Sequence, residues 1–251
     1  MLNTIRVLAH NGPVVVELAR WRGRLVVTKR VLGVPGGLAE RLRREAAVAA
    51  RLDHESIVPL LGVENGVLVY AYSPGVTLSE LVDGATVPYD RALDLMDDIL
   101  NALHFAHGHG IIHLDVKPGN ILIRGKRALL TDFGFAKDLA LAAITAEHSL
   151  LGTPGYMAPE QFRGVRDDPR SDIFSAAAVL WHMLAGEPPF GRNALRFLVG
   201  DETVEPDGLP DASGRARQVL ARALHRDPDA RFGTVNEFQA ALARTRLAQV
   251  A

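Results

Sequence analysis

Asn120-Ile121-Leu122-Ile123-Arg124-Gly125-Lys126-Arg127-Ala128-Leu129-Leu130-Thr131-Asp132 sets two short apolar runs around a polar turn that contains a glycine. Ile121 to Ile123 and Ala128 to Thr131 have the composition of strands, with Arg124 to Arg127 as the turn. Antiparallel pairing brings the ends of a hairpin together. Asn120 and Asp132, each six positions from Lys126, are therefore expected side by side. Just upstream, His113-Leu114-Asp115-Val116-Lys117-Pro118 adds a carboxylate and an ammonium near the same end. Oxygen ligands beside a cation and a second carboxylate suit a magnesium-bound phosphate better than a packing interface. The rest of the chain is read around a phosphoryl-transfer site.

Upstream of the hairpin, roughly the first 70 residues read as strands with one helix. Arg24 to Leu32 alternates, placing Leu25, Val27, Lys29 and Val31 on one face. A helix is predicted over Leu38 to Leu52 and a strand over Val67 to Tyr72. Ser73-Pro74-Gly75 then breaks the pattern and makes a natural connector. Asp90 to His107 carries a helical stripe of Leu93, Met96, Leu100 and Leu103. An irregular stretch from Phe135 to Pro159 follows the hairpin, and helices are expected near Ser171–Ala185, Asn193–Val199, Ser213–Leu224 and Val235–Arg244. This order predicts an α+β fold: a small antiparallel sheet with one helix, set on a larger, mainly helical lobe.

One charge lies on the wrong face. The apolar stripe of the Leu38–Leu52 helix runs Leu38, Leu42, Ala49, Leu52, and Glu45 falls on it at spacings of four, three, four and three. An inward carboxylate is costly unless a cation meets it. Lys29, on the inward face of its strand with Val27, is the best available partner, and the pair would pin Lys29 where it can hold phosphate oxygens. An isolated Glu at the edge of the stripe, reaching solvent, is the plainer alternative.

Composition limits the remaining readings. A length of 251 residues suits one compact unit of two lobes or two small domains, and 48% hydrophobic with 23% charged residues is ordinary for a globular chain. A net charge of −1 argues against an electrostatic binder of nucleic acid. With no cysteine, disulfides, thiol catalysis and cysteine-ligated zinc are excluded, which fits the cytoplasm. Ile173 to Ala185 is the most apolar segment, too short to cross a bilayer, and reads as a buried core helix ended by Gly186 and Pro188-Pro189. No signal peptide is read at the N-terminus, where Met1 to Arg6 leads into a strand-like stretch holding His10, Asn11 and Pro13. No sensor domain or membrane anchor is read after Ala251, and the chain is expected to be either a stand-alone enzyme or part of a longer one. His104, His107 and His109 lack acidic or thiol partners at ligand spacing. His113 is expected to pack and hydrogen-bond beneath the loop that carries Asp115.

Assembled, these residues resemble the protein kinase family, specifically bacterial serine/threonine kinases of the eukaryotic (Hanks) type. The resemblance runs from about Leu8 to Arg231. Val26-Val27-Thr28-Lys29 is similar to the strand carrying the phosphate-binding lysine, and Glu45 to its helix partner. His113 to Asn120 resembles the catalytic loop, Asp132-Phe133-Gly134 the metal-binding triplet, and Gly152-Thr153-Pro154-Gly155-Tyr156-Met157-Ala158-Pro159-Glu160 the substrate-docking segment. Asp172 matches a residue that braces the catalytic-loop backbone, although a helix-cap role fits it equally well. Arg231 matches the partner of Glu160.

The resemblance implies an N-lobe over residues 1–72 and a C-lobe over 73–251, together one kinase domain using ATP and Mg2+ or Mn2+ on protein substrates. Asp115 would accept the substrate hydroxyl proton and Lys117 neutralise the γ-phosphate. Lys29, pinned by Glu45, would hold phosphate oxygens, and Asn120 and Asp132 would hold the metal. The nucleotide would be lined by Leu8, Val16, Val27, Leu122 and Thr131, beside the hinge Ala71-Tyr72-Ser73, with Tyr70 as the bulky gatekeeper. Lys117 and Thr153 resemble the serine/threonine rather than the tyrosine branch.

Three features depart from the pattern. The glycines expected over the phosphates fall on Ala9, Asn11 and Val14, and a turn is expected at Asn11-Gly12 with Asn11 left-handed. Leu114 stands where an arginine usually gathers a phosphorylated activation loop, making control through Thr145, Ser149 or Thr153 an unfavoured expectation. Val27 crowds the adenine slightly. A pseudokinase scaffold is the runner-up function, and a small-molecule kinase of the aminoglycoside type comes third.

Overall fold

The computed structural model describes residues 1–33, 38–138, 154–200, 205–206 and 214–247. Thr145, Ser149, Gly152 and Thr153 lie outside the described residues.

The chain begins with three consecutive antiparallel strands, β1 (Leu2–Asn11), β2 (Val14–Trp21) and β3 (Arg24–Val31). Helix α1 (Leu38–Ala49) leads to β4 (Leu60–Glu64) and β5 (Val67–Ala71), and the sheet closes in the order β1-β2-β3-β5-β4. Ala19, Val26 and Val69 pack with Leu2 and Trp21 on one side of this sheet. On the other, Val27, Val31, Leu68 and Tyr70 meet Leu42, Ala46 and Ala49 of α1. Strand alternation puts Lys29 on the α1 side, with Val27 and Val31. Leu25, predicted on the same face, sits at the strand end and is 41% exposed. β1 also begins earlier than the sequence suggests, because Leu2 to Thr4 find partners on β2 despite their mixed polarity.

The larger lobe opens with β6 (Val76–Thr77) and α2 (Leu78–Leu81), then α3 (Tyr89–Gly108) and β7 (Ile111–Ile112). The hairpin strands β8 (Ile121–Arg124) and β9 (Arg127–Leu130) come next, with β10 (Lys137–Asp138) returning to pair with β7. Among the described residues, four helices and a single turn of helix follow: α4 (Pro159–Phe162), α5 (Arg170–Ala185), α6 (Ala194–Val199), α7 (Gly214–Ala223) and α8 (Val235–Leu247). Leu93, Met96, Leu100 and Leu103 of α3 are all buried against α5, whose residues from Ile173 to Leu184 are buried except for the half-buried His182. A helix apolar on all sides belongs inside a protein, and α5 forms the centre of this lobe. Among the described residues no helix is long and apolar enough to cross a membrane.

The connector between lobes is stitched to the hairpin. β6 pairs with β8, Val76 opposite Ile123, and a β-carbon added at Gly75 would lie 2.1 Å from the Ile123 carbonyl oxygen. Only glycine permits that approach. The observed architecture is the expected one, a bilobal α+β fold.

Candidate active site

The β8–β9 hairpin turns through two residues, Gly125 and Lys126, with Arg124 facing Arg127. The expected four-residue turn is thus shorter, because the ladder extends one pair further at the tip. At the open end the Thr131 amide donates to the Asn120 carbonyl at 3.0 Å. Asn120 therefore faces Thr131, and Asp132 lies one residue beyond the ladder, with a left-handed φ of 63°. The hairpin brings Asn120 and Asp132 to one end, but not as direct cross-strand partners.

The ammonium of Lys29 sits between two carboxylates. It donates to Glu45 Oε1 at 2.9 Å and Oε2 at 2.8 Å, and to Asp132 Oδ1 at 2.6 Å. Glu45 is buried by the stripe that placed it inward, so its ion pair is the compensation that burial requires. Burial alone would lower the Lys29 pKa. Asp132 and Glu45 outweigh it and hold the lysine above its ordinary value. Burial pushes Glu45 up against the opposing pull of Lys29. Asp132 resists its own burial and is held below the usual carboxylate range by Lys29 and the Gly134 amide. The Asp132 side chain keeps 34% of its surface, enough to be reached from the cleft.

The catalytic-loop residues gather beside this triad. Asp115 accepts from Lys117 Nζ, 2.8 Å from Oδ2, and from Asn120 Nδ2 at 2.9 Å. Asn120 Nδ2 also donates to the Asp115 carbonyl at 2.8 Å. With its nitrogen committed in this way, Asn120 keeps its amide oxygen as the atom a hard cation would take. His113 packs on Phe133, ring centroids 4.6 Å apart. Its Nδ1 accepts from the Asp115 amide at 3.2 Å, which leaves Nε2 to donate to the Thr131 carbonyl at 3.1 Å. The fully buried Asp172 accepts from the amides of His113 and Leu114, each at 2.8 Å, and from His107. It is a brace for the loop and not the helix cap that its position also suggested.

The chain matches the protein kinase domain family over residues 10–243. The chain belongs to the protein kinase family. Its relatives place it in the bacterial serine/threonine branch. It is similar to serine/threonine-protein kinase PknB of Mycolicibacterium smegmatis, 39% identical over 228 residues that make up 83% of this chain and 36% of the relative. PknB of Mycobacterium tuberculosis is 36% identical over 81% of this chain and 35% of the relative. PknJ of the same species is 36% identical over 81% of this chain and 37% of the relative. The chain thus spans about a third of the length of these relatives and carries a serine/threonine protein kinase domain.

The segment entering α4 is tied to the core of the larger lobe by Glu160. Arg231 donates from Nη1 to Oε1 and from Nη2 to Oε2 of Glu160, both at 2.7 Å, and Ser171 Oγ adds a third bond at 2.8 Å. Gln161, which the sequence reading did not single out, donates to the Leu114 carbonyl at 2.8 Å and accepts from the Ala158 amide at 3.0 Å. It joins docking segment and catalytic loop directly. A glutamine on a short helix carries no signal for such a role. Leu114 itself is buried and held at a φ of 63°, a left-handed position unusual for leucine, by its bonds to Asp172 and Gln161.

The β1–β2 tip differs from the sequence expectation. β1 and β2 pair through Asn11 and Val14, so the turn is Gly12-Pro13, with Gly12 at a φ of 57°. The expected Asn11-Gly12 turn is displaced by one residue because the ladder runs through Asn11. The Pro13 carbonyl accepts from the Leu32 amide at 2.7 Å, tying the tip to the end of β3. Val16 pairs with Lys29 and Ala9 with Val16, so Ala9, Val14 and Val16 share the cleft face with Lys29. Tyr70 is buried, while Val27, Ala71, Ser73, Leu122 and Thr131 are half-buried. Leu8, the extra residue of a bulge in β1, is 40% exposed. Ser73 Oγ is buried without a hydrogen-bond partner. Among the described residues no group of three His, Cys, Asp or Glu side chains is placed to hold a metal ion.

Proposed function

We propose that this domain transfers the terminal phosphoryl group of ATP to serine or threonine hydroxyls of proteins, in the cytoplasm where ATP is supplied. One observation carries the reading: the small-lobe ammonium of Lys29 lies 2.6 Å from the large-lobe carboxylate of Asp132, with Glu45 behind it. The residues fit the nucleotide and its ion. Asn120 and Asp132 are hard oxygen donors suited to Mg2+ or Mn2+, a pair that substrate phosphates complete. The unpartnered Ser73 hydroxyl at the hinge offers a polar contact to a purine edge, between Val16, Val27 and Leu122, with Leu8 and Thr131 at the margins. The divalent ion, when bound, would neutralise phosphate oxygens.

The chain's own residues do the rest. Asp115 orients the acceptor hydroxyl and takes its proton as the oxygen–phosphorus bond forms and the bond to ADP breaks. Lys117 offsets charge on the transferred group, and Lys29, steadied by Glu45, holds the remaining phosphates. The buried Leu114 supplies no cation for a phosphorylated loop, so activity is expected without loop phosphorylation.

The phosphate roof is less accommodating. Side chains at Ala9 and Val14 stand where glycines would let backbone amides close on phosphate, and the Pro13 tip is tethered to Leu32. ATP should bind more weakly than micromolar. This roof is also the feature favouring the second reading, a scaffold that keeps the fold but transfers little phosphate. Incubating the protein with radiolabelled ATP, Mg2+ or Mn2+ and a basic protein acceptor, beside Asp115→Asn, separates the two. Label that falls on the order of 10²–10³-fold in Asp115→Asn supports transfer, and equal label from both proteins ends that proposal.

A further inference from the structure

We infer that Tyr70 is a positioning residue for the phosphate grip, its hydroxyl holding Glu45 in place when Lys29 turns toward nucleotide. Tyr70 Oη donates to Glu45 Oε1 at 2.8 Å, the same oxygen that Lys29 approaches at 2.9 Å. Both ends of this bond are buried, Tyr70 at 8% exposure and Glu45 at 3%.

Lys29 is shared among three carboxylate oxygens. A triphosphate in the cleft competes for the same ammonium, and whatever Lys29 gives to phosphate it withdraws from Glu45. A buried carboxylate that loses its cation needs other donors or it moves toward water. Tyr70 supplies such a donor from a rigid support. It stands on β5, whose partner β3 carries Lys29, and Val27 lies directly opposite it. Its ring packs with Leu42 and Ala49 of α1, so the hydroxyl and the ring hold the same helix. Phenylalanine would fill this space equally well but offer nothing to Glu45.

The consequence for turnover rests on the phosphoryl-transfer reading, whereas the tie between Tyr70 and α1 does not. The test is a double-mutant cycle of Tyr70→Phe, Glu45→Ala and both together, read as kcat and KM for ATP and, without nucleotide, as amide exchange in α1 and β5. Tyr70→Phe should lower kcat/KM by roughly tenfold or more, as expected for losing a hydrogen bond to a buried charge. It should speed exchange in α1 and leave β5 unchanged. In the Glu45→Ala background the same substitution should add nothing. An equal loss in both backgrounds, or α1 exchange untouched by Tyr70→Phe, would overturn the inference. Should the unmodified protein transfer no phosphate, the transfer proposal fails on its own and the exchange measurement still decides the role of Tyr70.

Discussion

Arg231 and Glu160 meet through two parallel bonds in an almost dry environment, with the guanidinium also 4.9 Å from the centre of the Phe174 ring. Removing one partner of a buried pair strands the other charge. Arg231→Ala should therefore cost about 3–5 kcal/mol of unfolding free energy, seen as a lower urea midpoint. Arg231→Lys should recover little, since an ammonium cannot reproduce the forked contact; full recovery would show that charge alone matters there. Glu45 was legible in the sequence because a carboxylate on an apolar stripe demands a partner, and Lys29 was the cation at hand. Asp132 was reached through the hairpin and Asp115 through the loop just upstream of it, whereas Arg231 and Glu160 came only from the family resemblance. The Tyr70 hydroxyl and Gln161 were not legible: an aromatic on a strand reads as core, and a glutamine on a short helix reads as surface.

Among the elements, the crossing between lobes is the most exacting. A β-carbon at Gly75 would collide with the backbone of Ile123, which cannot swing aside as a flexible side chain can. Gly75→Ala should destabilise by at least about 1–3 kcal/mol through displacement of β6 from β8. Gly108 is the contrast. It ends α3 with open space around its missing β-carbon, and Gly108→Ala should stabilise by about 0.4–1 kcal/mol. Matched thermal melts of the two variants check both, and a neutral Gly75→Ala would contradict the account of the connector. Long elements were legible, α3 because its apolar residues repeat at helical spacing and α5 because it is a nearly continuous apolar run closed by Gly186. The two-residue strands β6, β7 and β10, and the single turns α2 and α4, were not. They are too short to show a period and exist because their neighbours offer backbone partners. The β1–β2 tip was misplaced by one residue for the related reason that pairing, not turn propensity, fixed its register.

Across the whole molecule, the buried ionisable groups set how stability responds to acid. Burial favours a neutral His182, whose Nδ1 meets the Tyr156 hydroxyl at 2.6 Å, and lowers its pKa below the ordinary 6.5. Burial would raise Asp172, but its bond to His107 and the amide of His113 hold it below the usual carboxylate value; Arg170 does the same for Asp168. All three have depressed native values, so the unfolded chain binds more protons. Their contribution is complete above the unfolded values and is lost as pH falls through the native ones. Urea midpoints should therefore decline below about pH 6.5 as His182 is forced to charge, and more steeply below about pH 4 as the aspartates protonate. A flat profile from pH 7 to pH 3 would contradict this. At this scale the two-lobed α+β architecture was fully legible, since the order of strands, connector and helices is linear in the chain.

The central claim is that the two lobes grip a metal-bound triphosphate between Lys29 on one side and Asp132 with Asn120 on the other. Calorimetric titration of ATP into the protein, with and without Mg2+, beside Asp132→Asn, tests it most directly. The account predicts binding that requires Mg2+ and is lost in Asp132→Asn. Binding that is indifferent to Mg2+ and unchanged by that substitution would contradict it.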